Sequence, residues 1–549
     1  MGVSIAANGA ERRPCQTAAM TRTQRWTLVA AIIGSGIVFL DGTIVNLALK
    51  AIGRLPTTFL GVLEGQAYIV SGYLAMLAAL LILSGALADY YGRRKIFAIG
   101  LAGFGVTSLL CGIAPNLELI VLFRLVQGAA GALLIPGSLS IITATFEGAA
   151  RARAFGMWAA ATSALFVIGQ PVGGLLVDLF SWRVAFLINV PLVAIALWAT
   201  IRHMQESRDE SATGAFDWLG AIVGAVAIGG LAFGATRGQE KNWNDPLAWV
   251  ALVVGAIALV IFPFLMRRPH PLVPLSLFRI RDFAVINLST FLIYAALYST
   301  SFYTSVLLQA TLGYTASAAA LSGFPSGILL VLLSTRVGAA AGRIGPKPFL
   351  VIGPVLMAAG MLWWARIPPT SEPWLASLDD LSTLVPPPSV LIDVLPALTL
   401  FGLGISLVVA PLTSTLMNSI PSRNAGLGSA INNALSRVGQ PLVGALLFIV
   451  VSATFYGSLA SQVPGLDPDD PAVRTQFPPL NQPAAGVPPE QAEAARVASV
   501  QAFRVASLAM VGMLLGGAAA NFFGLRGDPA GRRAGSREGA AEQPAAPAA

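Results

Sequence analysis

Charge is what this sequence has least of. Only 11% of its 549 residues are Asp, Glu, Lys or Arg, against about 25% in a typical soluble domain. That excludes a soluble enzyme and indicates a polytopic membrane protein. Lysine is confined to Lys50, Lys95, Lys241 and Lys347, and none completes a glycine-rich phosphate-binding loop. Direct coupling to ATP within the chain is therefore not expected. Histidine occurs only at His203 and His270, both between apolar runs. Neither a metal cluster nor a buried histidine relay can be assembled from them, and no nucleophile–base arrangement stands out. The two cysteines, Cys15 in a polar stretch and Cys111 in an apolar one, are poor disulfide partners and leave the compartment open. No cleavable signal peptide is visible, because residues 1–23 are polar and lack an apolar core. Met20 reads as an alternative start.

Apolar residues make up 55% of the chain, and windows of about 20 of them mark helical spans. The expected spans are 27–49, 66–88, 96–114, 117–142, 156–178, 184–201, 218–236, 247–266, 283–308, 318–338, 349–365, 391–418, 426–456 and 500–523. The net charge of +8 suggests a nucleic-acid partner only until its distribution is read. Most basic residues lie in alternate connections: the N-terminal tail, Arg93–Lys95, Arg151 and Arg153, Arg202 and Arg208, Arg267–Arg281, Arg343 and Lys347, Arg423 and the C-terminal tail. The other connections hold fewer: Lys50, Arg54, Arg183, Arg237, Lys241, Arg366, Arg474 and Arg496. By the positive-inside rule both termini are cytoplasmic and the span count is even. Segments 367–390 and 457–499 are Pro-rich and acidic (Asp379, Asp380, Asp467, Asp469, Asp470) without an obvious core, and are expected to be mobile extracytoplasmic loops. Residues 526–549, rich in Ala, Pro, Gly and Arg, are expected to be a disordered tail.

An internal echo supplies the architecture. Gly85-Ala-Leu-Ala-Asp89-Tyr-Tyr-Gly92-Arg93-Arg94-Lys95 follows the second span, and Gly338-Ala-Ala-Ala-Gly342-Arg343-Ile-Gly345-Pro346-Lys347 follows the tenth. Both fall on the cytoplasmic side, as parallel six-helix repeats require. Eight spans precede the second copy's own span pair, so two extra helices, 218–236 and 247–266, lie between the halves. The first copy resembles the cytoplasmic loop signature of the major facilitator superfamily. The chain is similar, over nearly its whole length, to that superfamily's fourteen-span drug:proton antiporters. Four further stretches carry the resemblance, in order and at span-compatible positions. They are Leu40–Asn46, Arg124-Leu-Val-Gln127-Gly128-Ala-Ala-Gly131, Gly169–Gly174, and Ser181-Trp182-Arg183-Val-Ala-Phe186-Leu-Ile-Asn189-Val-Pro191.

What the resemblance implies is an all-α membrane fold of two six-helix bundles plus two inserted helices. The segments would be an N-terminal tail (1–26), an N-terminal bundle (27–201), a linker (202–217), the inserted pair (218–266), a second linker (267–282), a C-terminal bundle (283–525) and the tail. Implied too is export of toxic compounds against proton entry across a bacterial inner membrane, with no cofactor beyond the proton gradient. Partners would be the bilayer, protons and a small molecule. The protein would work as a monomer, and a periplasmic adaptor, if one exists, would meet it at 457–499. A dedicated metabolite exporter, a proton symporter and a non-transporting membrane receptor remain alternatives.

The residues themselves say more. Asp41 sits in the uncharged stretch Leu28–Leu49, where a carboxylate costs roughly 2.5–3.5 kcal/mol on insertion scales. It needs a proton or a partner, and Arg124 in the fourth span is the candidate partner in the resembled fold, making these two the proton-coupling residues. Asp41 is the acid placed deep in a span; Asp89, Asp178 and Asp393 lie at edges. One such acid exchanges one proton for one charge, which favours monocationic or neutral substrates.

Gly85 is expected to let two helices approach closely, and Asp89 to touch a neighbouring helix and pair with Arg93. With Gly92 and Arg94 they would form a latch that closes in one access state. In the fifth span the chain departs from the antiporters' Gly-Pro-x-x-Gly-Gly: it has Gly169-Gln170-Pro171-Val172-Gly173-Gly174. Gly173 and Gly174 are expected to pack across the interface of the halves with Gly169 and a kink at Pro171, and Gln170 to face the cavity. Lys50 also stands where a proline is usual.

In the ninth span Phe291, Tyr294, Tyr298 and Phe302 recur at spacings of three and four, hence on one helical face. They are candidate substrate contacts, because ring faces hold lipophilic cations, although ordinary packing also produces such a stripe. Tyr73, Trp158 and Phe166 are weaker candidates of the same kind. Arg437 in the thirteenth span, near Asn432, reads as either a second cavity cation or a structural group.

Overall fold

The computed structural model describes residues 20–208, 216–420 and 425–526, except for a few side chains within 148–167 and those of 425 and 426. Residues 1–19 and 527–549 of the expected tails, the middle of the first linker, Arg423 and the side chain of Phe166 fall outside the described residues; residues 22–26, expected in the N-terminal tail, belong to the first helix. Every regular element among them is helical.

Fourteen long helices run through the described residues. The N-terminal bundle comprises α1 (Arg22–Ile52), α2 (Val62–Tyr91), α3 (Arg93–Ile113), α4 (Leu117–Thr145) and α5 (Gly148–Leu179), closed by α6 (Val184–His203). The inserted pair is α7 (Trp218–Glu240) and α8 (Pro246–Leu265). The C-terminal bundle comprises α9 (Arg281–Thr311), α10 (Ala316–Ile344), α11 (Lys347–Trp364), α12 (Val390–Ser419), α13 (Ala425–Gln462) and α14 (Pro489–Gly524). All but α5 have a described apolar window long enough to cross a bilayer. The expected fifth span, 156–178, lies on α5, of which the stretch Ile168–Leu179 is apolar.

Local chemistry sets many of the helix ends. Thr21 opens α1 with a capping box: its hydroxyl accepts from Gln24 N–H and its own N–H donates to the Gln24 side chain. Asn116 caps α4 through Leu119 N–H at 3.0 Å, which lets α3 and α4 turn within three residues. The echo in sequence becomes an echo in backbone. Gly92 (φ 106°) joins α2 to α3 and Gly345 (φ 93°) joins α10 to α11, a left-handed conformation that a side chain would strain.

Within the N-terminal half α1 packs on α4, α5 and α6, and α2 packs on α4; within the C-terminal half α9 packs on α13 and α14, and α12 on α10 and α11. Helix α7 touches both halves, through α2 and α13, whereas α8 packs chiefly on α7. The α7–α8 crossing is built on glycines: a Cβ on Gly230 or Gly234 would stand 2.9 or 2.8 Å from backbone of α8. The outer face of α8, with Trp249, Val253, Ile257 and Val260 exposed, is a surface for lipid.

The two halves meet mainly along α5–α10 and α2–α13. We refer to the end carrying the start of α1 and the close of α14 as the tail end, and to the opposite end as the far end. Every hydrogen bond between the halves among the described residues lies at the far end. Asp178 of α5 accepts from the first two amides of α10, Ala316 at 3.1 Å and Ser317 at 2.6 Å. Ser305 donates to the Asn46 carbonyl at 2.5 Å, and Gln66 exchanges two hydrogen bonds with Asn481. The halves are thus sealed together at one end.

Two expectations are corrected there. Helix α13 continues to Gln462 and α14 begins at Pro489, so the connection is 463–488 rather than 457–499. Nor do the far-end connections lack a core. Trp374, Ala376, Phe477 and Leu480 are buried, the Trp374 indole donates to the Thr383 carbonyl at 2.7 Å, and Arg474 donates to the Gln239 carbonyl of α7 at 2.7 Å. These segments are folded over the seal because their few apolar residues find a hydrophobic floor that the sequence alone does not display.

Asp178 acts as a helix cap supplied by the other half, and its charge also complements the positive end of the α10 dipole. Asp178→Ala is expected to loosen the seal by about 0.5–2 kcal/mol, the usual worth of a cap. Hydrogen–deuterium exchange of residues 316–320 should then accelerate roughly two- to thirty-fold. Unchanged exchange would show that the cap does not hold the ends together.

Candidate functional site

Asp41 lies midway along α1 with its side chain wholly enclosed. Its partner is Arg124 of α4, whose Nη1 stands 2.5 Å from Asp41 Oδ2. Neither group faces a cavity between the halves. The pair is buried inside the N-terminal bundle, with Arg124 only 1% exposed.

Most of the remaining polar groups nearby are paired with a neighbour of definite type; the Asn189 Oδ1 and the Tyr73 hydroxyl are enclosed without a partner. Asn189, in the second turn of α6, donates to Asp41 Oδ1 at 3.2 Å and to Ser108 Oγ of α3 at 3.0 Å. Gln127, one turn along α4 from Arg124, accepts from Arg124 Nη1 at 2.8 Å and donates to Ser108 Oγ at 3.0 Å and Asp41 Oδ1 at 3.4 Å. Arg124 Nε donates to the Ile69 carbonyl of α2 at 3.1 Å, and its guanidinium carbon lies 4.0 Å from the centre of the Tyr73 ring. Close helix approach makes this possible: a Cβ on Gly128 would stand 2.3 Å from the Tyr73 carbonyl. Five helices, α1, α2, α3, α4 and α6, therefore converge on this network; Asp41, Arg124, Gln127 and Asn189 come from three of the motif stretches read in the sequence, and Ile69, Tyr73 and Ser108 come from none. Gln127, Asn189 and Ser108 had no role assigned from sequence; the signal available for the first two was their place within those stretches.

The model of the Major Facilitator Superfamily matches residues 31–444 of this chain. The chain belongs to the Major Facilitator Superfamily. It is an integral membrane protein of a transporter family. It is 32% identical over 451 residues to the multidrug resistance protein Stp of Mycobacterium tuberculosis, covering 81% of this chain and 80% of that one. To the lincomycin resistance protein of Streptomyces lincolnensis it is 31% identical, covering 79% and 86%. Among solved structures it resembles a bacterial homologue of the human lysosomal transporter Spinster (TM-score 0.59, 17% identity, 92% and 98% covered). That likeness is one of fold.

In this facilitator the other motif residues do not all sit where their spacing suggested. Gly85 has open space around it, with nothing within 4 Å of a built Cβ, so it permits no close helix approach here. Asp89 pairs with Arg93 at 2.8 Å, as expected, but this is a bond within one helix turn. The loop is tied instead to the end of α6 and the segment after it. Arg93 N–H donates to the Ser207 carbonyl at 2.9 Å, Arg94 N–H to Glu206 at 3.0 Å and Arg94 Nη2 to the Ile201 carbonyl at 2.7 Å. These contacts stay on the N-terminal side, because with the far end sealed the tail ends of the two halves are not hydrogen-bonded to each other.

Of the three α5 glycines expected at the interface of the halves, only Gly174 serves it: its Cβ would stand 2.6 Å from the Ala316 carbonyl of α10. Gly169 and Gly173 face Leu40 and Ile44 of α1 instead, since a one-residue step on a helix turns the side chain by about 100°. Pro171 lies inside the unbroken helix. Gln170 meets Gly323 of α10, where an added Cβ would come 2.7 Å from its Oε1.

The aromatic stripe on α9 divides. Tyr294 and Tyr298 keep partial exposure and lie 6.1 Å apart, centre to centre, while Phe302 is buried edge-on against Tyr303 at 4.9 Å. Phe291 contributes its carbonyl to the tight α9–α13 crossing at Gly439. Asn432 spends its amide inside the C-terminal bundle, donating to Asn287 at 3.0 Å and Thr290 at 2.8 Å. Arg437 is buried on α13, with Phe39 of α1 and Tyr298 of α9 beside it.

Asp41 is not alone as a buried acid. Glu64 in the first turn of α2 is fully buried, accepting from Gly61 N–H at 2.9 Å and lying 3.4 Å from Arg237 of α7. Arg237 also binds Asp245 at 2.7 Å and the Phe59 carbonyl at 2.6 Å. Asp245, outside the spans, has its carboxyl held below the usual range by the Leu247 N–H and by Arg237. Glu64 was missed because the apolar window starts after it. An acid three residues beyond Gly61 is a helix-start pattern that would have extended α2 backwards to include it.

Proposed function

We propose that this protein exports small lipophilic compounds, neutral or monocationic, in exchange for protons that load and leave Asp41. The membrane would be a bacterial cytoplasmic membrane with both termini inside, so the far end faces out. The observation that carries the reading is the enclosed Asp41–Arg124 pair. A neutralised Asp41 loses its charge attraction to Arg124. Arg124 is bound to α2 through Ile69 and Tyr73, and α2 packs against α13 of the other half. A proton on Asp41 thus bears on the helix that sets how the halves meet. Asn189 Oδ1, which has no partner, supplies an acceptor beside the acid for a protonated carboxyl.

Export is supported by the names of the relatives, among them resistance proteins for lincomycin, puromycin and methylenomycin A. We assign the chain no catalytic chemistry and no cofactor, and take it to act as a monomer, with any adaptor meeting the folded far-end segments. Alternating access requires that proton and substrate favour different states.

The test is a flux assay in everted membrane vesicles. A preformed pH gradient should collapse when a transported compound from a panel of antibiotics is added, and only in vesicles containing the protein. Compound movement that is indifferent to the gradient would remove the proton from the mechanism.

A further inference from the structure

Arg237 and Arg124 each meet a carboxylate inside the protein. Arg437 does not. It is 6% exposed, makes no ion pair or hydrogen bond among the described residues, and its Nε is enclosed without a partner. Its neighbours are ring faces: the guanidinium carbon lies 5.6 Å from the centre of Phe39, on the other half, and 5.5 Å from that of Tyr298. Ring faces attract a cation, but less strongly than desolvation opposes its burial. A buried, unpaired guanidinium between the two halves is therefore a group still lacking its anion.

The surroundings describe that anion's carrier. Phe39, Tyr294 and Tyr298 each keep part of their surface open, which makes an aromatic wall beside the charge. Two more enclosed polar atoms lack partners nearby in the fold, the Tyr73 hydroxyl on α2 and Gln440 Oε1 one turn along α13. Tyr73 lies within electrostatic range of Asp41, Arg124 and Arg437 together. Asp41 is already paired with Arg124, which leaves the charge of Arg437 uncompensated, so a lone positive charge on the substrate would be repelled there and an acidic oxygen would complete the charge balance.

We propose that Arg437, framed by Phe39 and Tyr298, seats a carboxylate or phenolate oxygen of an aromatic substrate. This rests on the transport reading above and narrows it: of its two substrate classes, neutral zwitterions with an acidic oxygen are favoured over their esterified monocations. A planar guanidinium binds a carboxylate in two-pronged fashion, which an ester cannot reproduce.

Rhodamine B carries a free carboxylate; its methyl ester is the same dye without the acid. Binding of each to the purified protein in detergent, read by fluorescence anisotropy, tests the seat. The acid should bind the native protein about ten-fold tighter than the ester. Arg437→Gln should remove that preference while leaving ester affinity within about two-fold, which also reports that the variant is folded, and Arg437→Lys, which keeps the charge but not the two-pronged geometry, should keep only part of the preference. Equal affinities in the native protein, or no saturable binding of the acid, overturns the proposal. A parallel loss of both dyes in Arg437→Gln with both retained in Arg437→Lys overturns it as well. Should the acid bind as expected and yet not move across vesicles, the export reading fails and the seat stands.

Discussion

Asp41→Asn is expected to abolish substrate-driven collapse of a pH gradient and also to destabilise the protein. The first effect follows from removing the exchangeable carboxyl. The second follows from what the amide leaves behind. Arg124 would remain 1% exposed with no counter-charge, and breaking a buried pair by removing one partner costs about 3–5 kcal/mol. The new amide keeps one acceptor oxygen and would turn its NH2 donor toward one of the two N–H groups, Arg124 or Asn189, that now point at Oδ2 and Oδ1.

A single substitution therefore cannot separate coupling from folding, but a pair can. Asp41→Asn combined with Arg124→Gln removes both charges and leaves two amides able to bond each other. It should recover most of the lost stability, as measured by thermal unfolding in detergent, with no recovery of proton movement. Gradient collapse that persists in the double variant would sink the assignment of the proton to Asp41.

The second large effect is expected at the far end. Arg237→Gln should destabilise the protein by about 3–5 kcal/mol, because Glu64 is then buried without a cation. Glu64→Gln should cost clearly less. Arg237 retains Asp245 at 2.7 Å and the Phe59 carbonyl, and the neutral amide that replaces the Glu64 carboxylate can still accept from Gly61 N–H. The asymmetry is the test, read as the difference in unfolding midpoint between the two variants. If Glu64→Gln is the more damaging, the brace does not work through burial of an unpaired acid. The consequence reaches beyond stability: α7 contacts α2 and α13, so Arg237 is where the inserted pair is fastened to the N-terminal half at the sealed end.

The contrast between these two sites shows what could be read without a structure. Asp41 and Arg124 are each anomalous in their own span, and a charged residue in an apolar helix is visible from one window of sequence. Their meeting followed from a resemblance, and the network of Gln127, Asn189 and Ser108 from neither. Glu64 and Arg237 each lie at a helix end, where a charge is ordinary. Nothing local marks them as partners, and four other helices separate α7 from α2 along the chain. Gly85 shows the opposite error: its motif suggested a tight crossing, yet a glycine leaves room without requiring that a neighbour use it.

Composition and period were sufficient for the span pattern, the two-fold echo and the inserted pair, because the bilayer demands about 20 apolar residues per crossing and forbids open backbone. The sequence by itself also singled out Asp41. Which way each group points was decided only by tertiary packing. Gly173 and Gly174 are adjacent, but one meets α1 and the other the opposite half. Asn432 turns inward to Asn287 while Arg437, little more than one turn away, is left between rings without an anion. Rotation about a helix axis and the contacts of helices distant in sequence determine such differences, and neither is written in any single span.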